Sequence, residues 1–371
     1  LFHVFATIVC MGASLSSGAH IVFPTPQGYR GEGVFDNFWK LIERHKVSFM
    51  ITVPTAMSAL MQRPVNADIS SLRLAFCGSA PLPLELYKKF EAAAGVTICE
   101  GYGLTEATCL VSINPPEGEK KVGSIGCPFP YTHVRIIDPA TQRDMPTGDI
   151  GEICVASPGV YDNHTYTEAA KNKDLFYPGE DSPLGDDVQY LRTGDLGRID
   201  DDGYLWITGR AKDLIIRGGH NIDPAEIEEA LAGHAQVAFA GAIGQPDAHA
   251  GEVPAVFVEL TDGATVTVEE LMAYAKEHIH ERAAYPKHLE IMDELPKTAV
   301  GKIFKPDLRR SAITRVYNAA LDKAGVGAQV TAVLEDKKLG LVAHVTKTGD
   351  ATDEQIKAAL GAFTRPWVWA A

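Results

Sequence analysis

The sequence lacks the cysteine spacing that would indicate a zinc site or a redox pair. No two of its six cysteines form a CxxC pair, which is the usual sign of either kind of site. The cysteines lie among apolar residues, all between Cys10 and Cys154. We therefore predict buried, reduced thiols rather than a disulfide framework.

Positive charge is also scarce. Lys and Arg number 34 against 48 Asp and Glu, so the formal net charge is -14. An acidic surface repels a phosphate backbone at long range, which disfavours nonspecific nucleic-acid binding. A local basic pocket for a nucleotide remains compatible with this charge.

The N-terminal stretch has no Asp, Glu, Lys or Arg before Arg30. A membrane-spanning helix would fit this length, but its polar residues and Pro24 and Pro26 favour a buried helix followed by a buried strand, Ala19 to Phe23. The basic start and the small-residue cleavage site of a signal peptide are absent. Because the chain starts at Leu1, without methionine and inside an apolar run, we expect the upstream part of its first domain to be missing.

Helix and strand patterns alternate in the first part of the chain, without internal repeats. Val34 to His45 is patterned as an amphipathic helix. Two strand patterns end in glycine turns, Leu72 to Cys77 before Gly78 and Val96 to Glu100 before Gly101. This alternation predicts an α/β protein, and such turns are where α/β sheets place ligand loops.

From about Val122 short strands separated by Gly, Pro and Asp turns predict a small β-subdomain. Within it, Asp202-Gly203 indicates a tight hairpin turn.

Two capped helices are predicted in a unit that begins near Gly209. Asp223 and Glu226 form a capping-box arrangement around a proline at the first helical position. A second capping box starts at Thr267, and its helix is predicted to run to about Ala284.

A last basic helix and a tail complete the chain. We expect Arg309 and Arg310 of this helix to be solvated surface charges. Beyond about Val316, alternating patterns predict paired strands at Gln329 to Glu335 and Leu341 to Thr346.

Four segments carry residues suited to chemistry. They are Glu100-Gly101-Tyr102-Gly103-Leu104-Thr105-Glu106, Tyr190-Leu191-Arg192-Thr193-Gly194-Asp195-Leu196, Gly209-Arg210-Ala211-Lys212-Asp213 with Arg217-Gly218-Gly219-His220-Asn221, and Pro296-Lys297-Thr298-Ala299-Val300-Gly301-Lys302. Their order and spacing resemble the adenylate-forming superfamily of acyl-CoA synthetases, luciferases and peptide-synthetase adenylation domains. The resemblance covers about Leu1 to Ser311, and its specificity comes from the occurrence of all four segments in order.

The resemblance implies an α/β fold in several parts. Residues 1–208 would be the C-terminal portion of the large, multi-subdomain AMP-binding domain, and 209–315 the smaller, mobile α+β C-terminal domain. Lys212 would be the hinge, where torsion changes rotate the small domain between half-reactions. Residues 316–371 would form an α/β tail extension.

The resemblance also implies an acid–thiol ligase that works in two half-reactions. A carboxylate attacks the α-phosphorus of ATP and gives an acyl-adenylate and pyrophosphate, and the thiol of coenzyme A then displaces AMP. The first step builds negative charge on the α-phosphate, so it needs a cation and a Mg²⁺ ion there.

The resemblance implies roles for individual residues. Tyr102 would pack on adenine, Thr105 would bind phosphate and Glu106 would hold Mg²⁺. Asp195 would bind the ribose hydroxyls, and Lys302 would reach the α-phosphate and the substrate carboxylate. Arg210 would also contact the ribose or phosphates, Gly101 and Gly103 would let adenine lie close to the backbone, and Gly218 and Gly219 would meet the pantetheine thiol. Two further matches are His3, near the acyl carboxylate, and the loop of Gly78, Ser79 and Ala80, which would line the adenine and acyl site.

Each match also has a structural interpretation. Asp195 would cap a strand, Arg210 would form a weak surface ion pair, and Gly218-Gly219 would end a strand. Lys212 and Lys302 would be solvated surface lysines.

The sequence departs from the superfamily in one respect: the Ser/Thr/Gly-rich phosphate loop that ends in lysine is absent. That loop grips the β- and γ-phosphates, so we expect these 371 residues alone not to form acyl-adenylate. Pyrophosphate exchange at a normal rate by this chain would contradict the expectation.

Three functions remain open on the sequence. The first is a cytoplasmic ligase that joins a fatty or other hydrophobic acid to coenzyme A. The second is an adenylating enzyme that loads a carrier protein, and the third is a nonenzymatic nucleotide or acyl-CoA binding module.

Overall fold

A computed structural model describes residues 3–160, 165–179, 182, 184–185, 188–298, 301–336 and 339–370. The chain divides into two compact units. The first spans residues 1–211 and takes in 300–302, and the second comprises 212–299 and 303–371.

The first unit begins with a mixed sheet in the order β1-β2-β3-β4-β5, in which β1, β2 and β3 pair parallel and β3, β4 and β5 pair antiparallel. The sheet alternates with helices, as the sequence predicts. Its elements are α1 (Ser14–Ser16), α2 (Val34–His45), β1 (Phe49–Thr52), α3 (Pro54–Met61), β2 (Leu74–Cys77), α4 (Leu84–Ala94), β3 (Thr97–Leu104), β4 (Cys109–Ile113) and β5 (Cys127–Pro128).

The pairing in this sheet changes direction along β3. Its first half runs parallel to β2, which in turn runs parallel to β1, and its second half pairs antiparallel with β4. Buried Trp39, Met57, Phe90 and Ile98 join the helices to the parallel strands. The carboxyl ends of β2 and β3 therefore lie side by side, which is where open α/β sheets bind ligands.

A β-subdomain completes the first unit, with strand order β10-β9-β7-β6 and β8 paired to β9. The turn at Asp202-Gly203 joins β9 to β10 as predicted, and Gly203 supplies a φ of +83° there. The elements are β6 (His133–Ile137), β7 (Gly151–Ala156), α5 (Ala169–Asn172), β8 (Phe176–Pro178), β9 (Gln189–Ile199) and β10 (Leu205–Arg210).

The second unit contains a sheet in the order β12-β11-β14-β13, with β15 parallel to β14. Helices α6 and α7 bury Ile227, Leu231, Leu271 and Ala275 in its core. The elements are β11 (Ile215–Arg217), β12 (His220–Ile222), α6 (Pro224–Ala232), β13 (Val237–Asp247), β14 (Gly251–Leu260), α7 (Val268–His278) and β15 (His288–Met292).

The tail packs on the long helix that precedes it. Buried Tyr317 and Leu321 share one apolar cluster with Val345 and Ile356 of the tail. The long helix is α8 (Lys305–Lys323). The elements that follow it are β16 (Ala328–Asp336), β17 (Gly340–Lys347), α9 (Asp353–Leu360) and β18 (Trp367–Trp369).

The prediction for the N-terminal stretch was wrong. Phe5–Ala13 is a π-helix in which only Val9 is buried, and Ala19 to Phe23 is not a strand. Phe23 is 49% exposed. A strand needs a hydrogen-bonded neighbour, and no described residue pairs with this segment. In the part of the chain that the structure describes, no helix is both long and apolar enough to cross a membrane.

The two helix caps differ from each other. Thr267 and Glu270 form the predicted reciprocal capping box, although α7 ends at His278 and not near Ala284. At α6, Asp223 accepts the expected bond from the Ala225 N–H, but Glu226 does not bond back to it. The Glu226 carboxylate instead accepts the N–H groups of residues 280 and 281, because these long-range donors lie within its reach.

Arg309 was wrongly predicted to be a solvated surface charge. Its Nη2 donates to Oδ1 of Asp213 over 2.8 Å, and both side chains are 17% exposed. Arg310 pairs with Asp307 on the helix surface and is 33% exposed. Arg309 and Arg310 are adjacent arginines that the sequence does not distinguish. They differ because Asp213, which lies 96 residues before Arg309 in the sequence, is within reach of Arg309.

Replacing Arg309 by methionine should lower the free energy of unfolding by about 1–3 kcal/mol at pH 7, because Asp213 loses its partner. Burial alone raises the pKa of Asp213, but the hydrogen bond and charge of Arg309 bring it below its ordinary value. The stabilisation is therefore fully present at a pH above the pKa that Asp213 has in the unfolded chain. It is lost as the pH falls through the lower pKa that Asp213 has in the folded protein.

Urea unfolding of the wild type and the variant at pH 7 and at pH 3 measures this difference. The gap should shrink at the lower pH. Arg310→Met is the matched control and should change stability by less than about 0.5 kcal/mol. Equal effects of the two substitutions would contradict the assignment.

Candidate active site

Two glycine-containing loops meet at the carboxyl edge of the parallel strands in the first unit. Gly78, Ser79 and Ala80 follow β2, and the segment from Gly101 to Glu106 continues β3. Ser79 has a φ of +72°, and a Cβ on Gly78 would lie 3.1 Å from the carbonyl oxygen of Gly101. The structure thus brings these two sequence-predicted segments into contact.

The glycines around Tyr102 have a backbone requirement of their own. A Cβ on Gly103 would lie 1.5 Å from the carbonyl oxygen of Cys109, and one on Gly101 would lie 3.1 Å from that of Ser112. Both contacts arise where β4 folds back on β3. The hairpin therefore requires glycine at Gly103, whether or not a base lies beside it.

Tyr102, Asp195 and Arg210 form a polar cluster although they are distant in sequence. The Tyr102 hydroxyl donates to Oδ2 of Asp195 over 2.5 Å, and Nε of Arg210 donates to Oδ1 over 2.7 Å. Asp195 is 4% exposed. Burial, then the Asp195 charge, raises the pKa of Tyr102 well above its ordinary value. The cluster is an aromatic ring beside a buried carboxylate whose two oxygens are oriented by donors.

Glu106 lies with Thr105 in a short 3₁₀ turn, Thr105–Ala107. Its Oε1 accepts a short hydrogen bond from the hydroxyl of Tyr166. Sequence reasoning missed Tyr166, because it lies 60 residues from Glu106 and belongs to no motif. Among the described residues, no three His, Cys, Asp or Glu side chains group as a metal site. Because Mg²⁺ is commonly held by one or two carboxylates together with substrate phosphates, the single Glu106 carboxylate fits such an ion.

Lys302 and His3 lie within electrostatic reach of each other. Burial, then the charge of Lys302, lowers the pKa of His3. Burial also lowers the pKa of Lys302; Arg210 lowers it further and Asp195 acts in the opposite direction. Lys302 therefore lies within electrostatic range of Asp195 and Arg210. Leu1, Phe2, Ala299 and Val300, which adjoin these residues in the motifs, lie outside the described residues.

In the second unit, Gly218 and Gly219 form the turn between β11 and β12, where Arg217 pairs with His220. Their φ angles are +56° and +91°, and a Cβ on either would meet nothing within 4 Å. This turn is an open, side-chain-free surface. Lys212 is exposed in the 3₁₀ turn Ala211–Asp213.

A basic groove, also in the second unit, was not predicted from the sequence. It measures about 750 Å³ and is lined by four cationic and four other side chains: Arg217, Lys276, Arg282, Lys287, Met272, Ala283, Tyr285 and Pro286. Arg217 is directly followed by the Gly218-Gly219 turn. Four cations at one groove stand out in a chain of net charge -14. Apart from Arg217 of the third motif, the cations of the groove belong to no motif: Lys276 lies in α7, and Arg282 and Lys287 lie between α7 and β15.

Two of the solved structures that match this architecture contain ATP or an acyl-adenylate. The chain matches ATP-bound MatB from Rhodopseudomonas palustris with a TM-score of 0.73 and 30% identity, over 83% of this chain and 57% of that one. It matches the anthranilate CoA ligase AuaEII in complex with anthranoyl-AMP with a TM-score of 0.72 and 28% identity, over 85% and 59%. The fold is therefore that of adenylate-forming enzymes, an α/β domain with a C-terminal domain.

Sequence comparison is consistent with this class. The AMP-binding enzyme family matches residues 1–163, and the AMP-binding enzyme C-terminal domain matches 226–302. The marinolic acid–CoA ligase of Pseudoalteromonas sp. (strain SANK 73390) is 43% identical over 321 residues, 85% of this chain and 47% of that protein. A long-chain-fatty-acid–CoA ligase of Bacillus subtilis (strain 168) is 37% identical over 313 residues, 82% and 51%.

The chain belongs to the AMP-binding enzyme family, which confirms the resemblance found in its motifs. It spans about half the length of these two ligases.

Proposed function

We propose that the protein activates a carboxylic acid with ATP and transfers the acyl group to coenzyme A. The observation that carries the proposal is the hydrogen-bonded cluster of Tyr102, Asp195 and Arg210, with Lys302 within electrostatic range of its two charged groups. It combines a diol-binding carboxylate, a flat aromatic ring and two cations, which are the groups that a nucleotide with a reacting α-phosphate needs.

In the first half-reaction, Tyr102 packs on adenine between the loops of Gly78–Ala80 and Gly101–Gly103. Asp195 accepts hydrogen bonds from the ribose hydroxyls, and Arg210 supports that carboxylate. Thr105 binds the phosphates and Glu106 holds Mg²⁺, which supplies positive charge against them when bound.

The acid is oriented by its carboxylate, with His3 near the acyl group. Lys302 places its ammonium against the α-phosphate and the substrate carboxylate. A flexible ammonium suits a charge that is needed in only one of two steps.

The second half-reaction uses the Gly218-Gly219 turn, because a backbone without side chains lets a pantetheine thiol pass. Lys212 is the hinge that precedes it. The next residue, Asp213, is fixed to α8 by Arg309, which supports a torsion change confined to Lys212. In this proposal, residues 1–208 belong to the large domain, 209–315 to the mobile domain and 316–371 to the tail.

The basic groove supports coenzyme A as the thiol substrate. Arg217, Lys276, Arg282 and Lys287 complement the phosphates of its nucleotide part, and the same groove offers Tyr285 as a flat apolar surface. A carrier protein presents only one phosphodiester beside its thiol, so four cations in one groove favour the free coenzyme. We place the reaction in the cytoplasm, where ATP and coenzyme A are available.

The acid in this proposal is a fatty or other hydrophobic acid. Two relatives that support this choice are named for marinolic acid and for long-chain fatty acids.

The test uses protein expressed from the whole reading frame that contains this sequence. It is incubated with ATP, Mg²⁺, coenzyme A and a panel of carboxylic acids, and the products are read by mass spectrometry. We expect an acyl-CoA thioester and AMP. Acyl-adenylate without thioester would indicate a carrier-protein acceptor, and no product from any acid would favour a binding module.

A further inference from the structure

Glu152 of β7 is a buried carboxylate outside the motifs that identify the site. It is 3% exposed, yet both of its oxygens have partners. Oε1 accepts the Gly194 N–H over 3.1 Å. Oε2 accepts Nε and Nη2 of Arg192 over 3.1 and 3.0 Å, and the Tyr177 hydroxyl over 3.3 Å.

These partners belong to the segment that carries the ribose-binding candidate. Gly194 immediately precedes Asp195 and has a φ of +72°. The hydroxyl of Thr193 donates to the Ile153 carbonyl of β7 over 2.7 Å and accepts the Asp195 N–H over 3.1 Å. The segment is therefore attached to β7 through two neighbouring residues, Glu152 and Ile153.

A buried carboxylate is costly unless it is fully hydrogen-bonded, and an apolar side chain would usually stabilise a strand as well. What Glu152 adds is geometry, because one rigid group holds both Arg192 and the Gly194 N–H. The direction of the Asp195 side chain depends on the backbone at Gly194, whose glycine could otherwise adopt many conformations.

We propose that Glu152 is a positioning residue that aims the Asp195 carboxylate at the ribose of the nucleotide. The inference rests on the proposed function, in which Asp195 binds the ribose hydroxyls. Glu152 does not touch the nucleotide itself, so its effect should be confined to the part of the affinity that comes from the 2′- and 3′-hydroxyls.

The measurement is equilibrium binding of AMP and of 2′,3′-dideoxy-AMP by protein from the whole reading frame. The wild type should bind AMP at least about tenfold more tightly, as expected for hydrogen bonds to a charged group. Glu152→Asp keeps the charge but is one methylene too short to reach both partners, so this preference should fall to about twofold or less. Glu152→Gln keeps the length and an acceptor for Gly194, and should retain at least about half of the preference.

Thermal unfolding separates positioning from a structural role. Glu152→Gln leaves Arg192 without its carboxylate and should lower Tm more than Glu152→Asp, so stability and ribose preference should change in opposite order. Glu228→Gln is the matched control. Glu228 also accepts a backbone N–H, from Ala242, and pairs with Lys305, and its loss should leave the ribose preference unchanged.

The outcomes distinguish the inference from the proposed function. A wild type without preference for AMP over the dideoxy analogue would contradict the ribose role of Asp195 itself. A wild-type preference that Glu152→Asp retains, or that follows Tm across the variants, would overturn the positioning role of Glu152. A preference lost in Glu152→Asp and kept in Glu152→Gln would support it.

Discussion

Replacement of Lys302 by alanine is expected to slow formation of the acyl-adenylate by about 100- to 1,000-fold, the usual cost of removing one group that stabilises transition-state charge. Thioester formation from preformed acyl-adenylate should stay within about threefold of the wild type. The measurements, on protein expressed from the whole reading frame that contains this sequence, are ATP–pyrophosphate exchange for the first step and single-turnover release of AMP from added acyl-adenylate for the second.

The physical reason lies in where charge develops. In the first half-reaction the carboxylate attacks the α-phosphorus, and negative charge grows on the phosphoryl oxygens of the α-phosphate. In the second, the thiol attacks the acyl carbon instead. The ammonium of Lys302 lies within electrostatic range of Arg210 and Asp195. Burial lowers the pKa of Lys302, so its charged form gains most when an anion arrives beside it. In the second half-reaction this anion leaves as AMP.

Lys305→Met is the control for Lys302→Ala. Lys305 is a neighbouring lysine that pairs with Glu228 over 2.8 Å. We expect the Lys305→Met substitution to lower stability modestly and to leave the rates of both half-reactions nearly unchanged. Equal losses of the two half-reactions in Lys302→Ala would mean that Lys302 is structural.

Replacement of Gly219 by leucine is expected to have the opposite selectivity. Thioester formation should slow by about 10- to 100-fold, because a misplaced or blocked reactant readily costs that much. Pyrophosphate exchange should remain within about threefold of the wild type. The measurements are the same two assays. Together, Lys302→Ala and Gly219→Leu test whether each residue serves a different half-reaction.

Backbone strain is the competing explanation for Gly219→Leu, because the residue has a φ of +91°. No atom lies within 4 Å of a Cβ built there, so a side chain would meet no protein atom. Gly203→Leu is the matched control, with a φ of +83° and equally open surroundings in the turn between β9 and β10. If Gly203→Leu and Gly219→Leu impair thioester formation alike, strain and not access to the thiol is responsible.

Elements defined by local interactions were predictable from the sequence. The bounds of α2, Val34–His45, agree with the amphipathic pattern, and the Thr267 capping box and the Asp202-Gly203 turn form as expected. Each depends on residues within a few positions of one another. The motifs also sufficed to identify the family.

Predictions failed where a distant partner decides the outcome. Glu226 was expected to complete the cap of α6, but it bonds to backbone N–H groups more than 50 residues away. Arg309 and Arg310 are adjacent basic residues of one helix, and only Arg309 faces Asp213. Ala19 to Phe23 has strand-forming residues, but no described strand pairs with it.

The sequence by itself determined the family, the alternation of helices and strands and the residues suited to nucleotide chemistry, because these depend on residue type and short spacing. Only the tertiary structure decided that Tyr102 bonds Asp195 across 93 positions, that Glu152 holds the turn before Asp195, that Tyr166 meets Glu106 and that four cations share one groove. Such contacts depend on how strands and loops are brought together by burial of the apolar cores, which no local pattern of residues specifies.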